Sequence, residues 1–132
     1  MTQEEKDLLL KDLSARLPYK VKVEHTYIPE NNGYTCEMSG HTILLIPDNE
    51  WLVKPYLRPM SSITEEEQRE LSRLLNDDKL LTCDLAKTFC LYCGIVIDFH
   101  NSHHLDWRGL IEKGLALEAP DGMYKTYEIN PQ

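Results

Sequence analysis

Positive charge is scarce in this sequence: 14 Lys and Arg stand against 22 Asp and Glu, a formal net charge of −8. A field of that sign repels phosphate backbones on approach, and no basic run of any length interrupts it, so nucleic acid is not an expected partner. Long apolar runs are missing too. No stretch reaches the eighteen or so residues of a membrane-spanning helix, and no membrane role is expected. The opening "MTQEEKDLLLKDLSARL" lacks the basic start, apolar block and small-residue site of a secretory leader, so a cytoplasmic location is expected. There the cysteines Cys36, Cys83, Cys90 and Cys93 stay reduced, and their even number carries no disulfide message. The six glycines are scattered and form no phosphate-cradling loop. Repeats, low-complexity tracts and flexible linkers are absent as well.

What is present is globular. The 132 residues fit one domain, 1–132, with 42% hydrophobic and 27% charged residues. A chain this long buries roughly two-thirds of its unfolded surface, so no metal or disulfide is needed to hold it together.

Thr2 and Glu5 form a capping-box pattern, Leu9, Leu10, Leu13 and Leu17 recur at helical spacing, and Pro18 ends the segment, predicting an N-terminal helix. In "YKVKVEHTYI" Val21, Val23, His25 and Tyr27 alternate with polar residues, the period of a half-buried strand. After the turn cluster "PENNG", "YTCEMS" and "HTILLIP" read as second and third strands and "EWLVKPYL" as a fourth. Pro55 and Pro59 cannot donate to a ladder, which makes Lys54 to Arg58 a sheet edge or crossover. Thr64 caps a helix opening on Glu65, Glu66 and Glu67, with Leu71, Leu74 and Leu75 inward. Leu80 to Cys93 reads as a second helix, with Leu81, Leu85, Phe89 and Tyr92 at helical spacing and Gly94 as its cap. "IVIDF" comes next as a separate piece. Asp106 starts a short helix that Gly114 closes, and "LALEA" and "MYKTYEI" flank a "PDG" turn, a candidate C-terminal hairpin. The fold expectation is α+β: an N-terminal helix, a small antiparallel sheet or partial barrel over about residues 19–58, then two to three helices.

The densest chemistry lies in "HNSHHLDWRGLIEKG", residues 100–114. Zinc would draw on Cys90 and Cys93, a C-x2-C pair, with His100, His103 and His104. The spacing is wrong for a finger, and cysteines inside an apolar helix are more often buried thiols. Cys–His nucleophilic catalysis has the parts but no exposed elbow. The carboxylates cluster at helix starts, where they are solvated and offset the dipole. "WRGLIEKGLALEAPDGMYKTYEI" has the rhythm of a winged helix, yet Arg108 and Lys113 face Asp106, Glu112, Glu118 and Asp121, too acidic for a DNA reader. Two readings of the cluster stay open. Asp106 caps a helix, Arg108 pairs with a carboxylate and Trp107 seals the core, or the same residues form a small-ligand or protein-docking surface, since Trp and Arg dominate binding hot spots.

The blocks "KPYLRPMSSITEEE" and "HHLDWRGLIEKGLALEAPDGMYK" resemble two signature blocks of an uncharacterised family of small acidic proteins carried by gut anaerobes, their phages and mobile elements. The second block of that family usually reads W-L-N-A-H-H-F-D-Y-R-G-L-I-E-K-G-L-A-L-E-A-P. The match covers Asn101, His103, His104, Asp106 and Arg108 to Pro120, with Trp107 in place of Tyr and Phe99-His100 in place of Trp-Leu. His100 and the cysteines thus lie outside the shared pattern. The resemblance implies a bacterial or phage accessory protein and brings no activity with it.

These readings converge on a non-enzymatic, cofactor-free accessory protein that docks to a protein partner, with a homodimer as an open option. The expected binding residues are His103, His104, Asp106, Trp107 and Arg108, joined by the segment Lys54 to Arg58; no catalytic or metal-binding residue is expected. A winged-helix-like DNA-binding protein and a small zinc-binding module are the alternatives.

Overall fold

A computed structural model describes residues 1–76 and 85–124. Its order is α1 (Gln3–Arg16), β1 (Lys22–Tyr27), β2 (Asn32–Glu37), α2 (Gly40–Leu45), β3 (Trp51–Leu57), α3 (Glu65–Leu75), α4 (Leu85–Ser102) and β4 (Leu117–Glu118). This is the expected α+β architecture, with one difference in the sheet. Its strand order is β2-β1-β3-β4, antiparallel across the first three strands, but β4 joins β3 in parallel, so the sheet is mixed.

The α1 start matches its sequence signal: Glu5 N–H donates to Thr2 Oγ1 at 3.1 Å and Thr2 N–H to Glu5 Oε1 at 2.8 Å. Leu9 and Leu13 pack fully buried against Val21 and Val23 of the sheet side, with Val53 and Leu57 from β3 and Leu110 and Leu115 from the C-terminal turns completing one core. Leu17 lies beyond that stripe and is exposed.

The apolar run "HTILLIP" forms α2 and a turn after it, not a strand. A run this short has no periodicity to choose between the two states, so local bonding and packing decide. Ser39 N–H donates to Thr42 Oγ1 at 3.2 Å, and that hydroxyl also meets His25 Nε2 at 3.0 Å, anchoring the helix start to β1. The left-handed residue of the preceding turn is Asn31 (φ 48°), while Asn32 and Gly33 are already in β2. Gly33 has its own reason to lack a side chain: a Cβ there would sit 2.9 Å from Thr26 Oγ1.

β3 is not a sheet edge, despite Pro55. Leu57 O accepts from Ala119 N–H at 2.8 Å, so by strand alternation Pro55 faces the same side, where β4 pairs only Tyr56 and Leu57 and asks Pro55 for no donor. Within the segment Lys54 to Arg58, Lys54 and Pro55 therefore pair with β1 alone among the described strands, and Tyr56 and Leu57 pair with β4.

α4 corrects another expectation. It continues through Gly94 and "IVIDF" to Ser102, because Val96 and Phe99 stay on its inward side and tertiary packing outweighs the modest helix preference of Ile and Val. Cys90 and Cys93 are exposed and Phe89 is 67% exposed, so the thiols are not core residues. Beyond α4, Asp106 does serve as a cap, but residues 106–114 form consecutive turns rather than a helix. Gly114 closes them with φ +75°. Leu117–Glu118 pairs with β3; the second arm of the expected C-terminal hairpin, with Leu80, Leu81 and Cys83, lies outside the described residues.

The histidine-rich bend and an adjoining apolar groove

The bend after α4 is docked on the end of β3 by two backbone bonds: Arg58 N–H to His104 O (2.7 Å) and Asp106 N–H to Arg58 O (2.8 Å). Arg58 then spends its guanidinium holding three other pieces together. It donates bidentately to Glu67 at 2.7 Å and 2.7 Å, to Ser62 O at 2.9 Å and to His103 O at 3.3 Å. Glu67 sits at the third position of α3 and returns a bond from Thr64 N–H at 2.9 Å, so one carboxylate both caps α3 and fixes Arg58. Burial alone would raise the Glu67 carboxyl, but the Arg58 bonds, the Thr64 amide and the cationic neighbours outweigh it and hold it down at about 2. Helix-start acids were expected to be solvated. Glu67 is fully buried instead.

His103 Nδ1 lies 3.1 Å from Glu67 Oε2 and its ring packs on Phe99 at 4.3 Å. Burial, opposed by Glu67, lowers its pKa. His104 adopts φ 62° and stacks on Tyr124 at 3.8 Å. Burial, with Arg16, His103 and Arg58 nearby, pushes its pKa down to about 4, so it is neutral at neutral pH. The Tyr124 hydroxyl donates to Tyr56 O at 2.8 Å and accepts from Lys22 N–H at 2.7 Å, tying that stack to β1 and β3.

Asp106 accepts from Leu110 N–H (2.8 Å) and Ile111 N–H (2.9 Å), satisfying two turn amides with one carboxylate. Arg108 reaches back to α1, donating to Asp12 Oδ1 at 3.1 Å. Asp12 also takes Arg16 at 2.8 Å, and Arg16 donates to Leu105 O at 2.8 Å, so a buried ionic chain joins α1 to the bend. Sequence periodicity found the leucines of α1 but missed this Asp12–Arg16 pair at i, i+4, the spacing that could have signalled it. Trp107 lies under the Arg108 guanidinium at 4.2 Å and donates its indole N–H to Asn101 Oδ1 at 2.9 Å.

All five expected binding residues are thus brought together, and all five are held in internal contacts. Trp107 alone also faces a hollow. It lines a groove of about 760 Å³ together with Met60, Leu75, Tyr92, Val96 and Ile97 and the more polar Asn76, Cys93 and His100. Burial first, then Arg16 and His103, lowers the pKa of His100. The groove walls went unseen in the sequence because reading α4 as ended at Gly94 split Tyr92 from Val96 and Ile97. A smaller hollow of about 320 Å³ lies between Arg58, Ser62, Glu118 and Tyr124, but the Arg58 donors are already committed.

Among the described residues no group of three or more His, Cys, Asp or Glu is placed to hold a metal ion, and no helix is long and apolar enough to cross a membrane. The second arm of the expected wing lies outside the described residues, and Leu117–Glu118 pairs with β3. Comparison with protein-family models, with curated proteins and with solved structures finds no match.

Proposed function

We propose that the protein is a non-enzymatic binding protein that receives an apolar, helical segment of a protein partner in the groove between α3, α4 and Trp107. One observation carries this reading: a groove of about 760 Å³ walled by Met60, Leu75, Tyr92, Val96, Ile97 and Trp107. Walls of that composition fit the side chains that an amphipathic helix presents at i, i+3, i+4 and i+7. The net charge of −8 selects among such helices for those with Lys and Arg on the polar face, through faster encounter and better register. The bend supplies the rigidity of this site, with Asn101 and Arg108 holding Trp107 in place. The cytoplasmic, phage or mobile-element setting implied by the family resemblance belongs to the same proposal. The acidic surface weighs against the DNA-binding alternative.

The test uses Trp107 as its own reporter. In a Trp51→Phe background, titration with a designed Leu- and Lys-containing amphipathic peptide is expected to shift Trp107 emission saturably, and Val96→Glu, on the groove wall, is expected to remove the response. A folded protein whose Trp107 emission ignores the peptide contradicts the proposal.

A further inference from the structure

The outward side of α4 carries a second, independent feature. Lys87, Leu91, Gly94 and Asp98 are all exposed, and at i, i+4, i+7 and i+11 they lie within about 60° of one another around the helix. Leu91 is 43% exposed. Gly94 is the odd member. Glycine is the poorest helix former after proline, yet here it sits in the middle of an 18-residue helix. Its φ is not positive, and a Cβ added to it meets nothing within 4 Å, so among the described residues neither backbone geometry nor packing calls for glycine. A glycine in such a place lets another helix approach closely.

The order of the stripe identifies that helix. In an antiparallel pairing about a two-fold axis between Tyr92 and Cys93, Lys87 of one copy meets Asp98 of the other, and Leu91 of one meets Gly94 of the other. Each contact occurs twice, as a two-fold interface requires. The apolar knob fills the gap left by the missing side chain, and opposite charges close both ends. We infer that the protein forms a two-fold dimer through α4, with Leu91 seated on Gly94 and Lys87 paired with Asp98 between copies. The groove behind Trp107 is not needed for this contact.

Sedimentation equilibrium on the full chain, over a wide concentration range, tests it. The wild-type chain should reach the mass of two copies. Gly94→Gln should keep its helix content, since the space is open, and weaken association by about tenfold or more. Lys87→Glu should do the same by opposing Asp98 with a like charge, and Lys87→Glu/Asp98→Lys should restore the dimer, which a purely internal role for Lys87 would not produce. A wild-type chain that stays monomeric throughout overturns the inference and leaves the stripe to a different partner. A dimer indifferent to Gly94→Gln, or a double reversal that fails to restore association, overturns it as well.

Discussion

Replacing Glu67 by Gln keeps the shape of the side chain and an acceptor for Thr64 N–H but removes the charge that faces Arg58. Arg58 is only 8% exposed, so its guanidinium would remain buried without its carboxylate. The magnitude comes from the proton equilibrium. The Glu67 carboxyl sits at about 2 in the folded chain against 4.5 for a free glutamate. That gap corresponds to about 3 kcal/mol of stability, at the lower end of what breaking a buried ion pair costs. Because the folded value is the depressed one, this contribution is complete above pH 4.5 and is lost as pH falls through about 2. Urea titrations at neutral pH should therefore place Glu67→Gln below the wild type by about 3 kcal/mol, a midpoint shift of more than about 1 M. Repeated toward pH 2, the two curves should converge, because the wild type acquires the neutral side chain that the variant has throughout. Equal stability at neutral pH, or a difference that does not shrink with acid, would refute the view of Arg58–Glu67 as the brace of this region.

Two further outcomes probe the same bend. Asp106→Ala should cost about 2 kcal/mol, since it strands the buried Leu110 amide and the half-buried Ile111 amide, and thermal denaturation reads the loss. The His104 ring, tracked by proton NMR, should titrate near 4 rather than at 6.5; its depressed value means that its contribution is held above pH 6.5 and lost as pH falls through about 4, and a midpoint between 6 and 7 would contradict its burial on Tyr124.

Features with local causes were legible in the sequence. The starts of α1 and α3 could be read because Thr2/Glu5 and Thr64/Glu67 satisfy each other within four residues. β1 could be read because Val21, Val23 and His25 alternate with polar residues. Features decided at a distance were not. Whether Gly94 ends a helix or lies within one depends on what α4 packs against, and "HTILLIP" becomes a helix because Thr42 meets His25 across seventeen residues. The candidate site divides the same way. The cluster at residues 103–108 stood out by composition, while its partners Asp12, Arg16 and Glu67 are distant in sequence or looked solvated. The dense polar motif folds into one bend, and the bend and the neighbouring groove could be told apart only in three dimensions.

The central claim is that contact with a partner falls on the groove walls while the histidine-rich bend supports them from within. Mapping amide and indole resonances during titration with the basic amphipathic peptide tests this most directly. The account predicts shifts concentrated at Leu75, Val96, Ile97 and the Trp107 indole, with His103, His104 and Asp106 nearly unmoved. Shifts centred on those two histidines and Asp106, with silent groove walls, would contradict it.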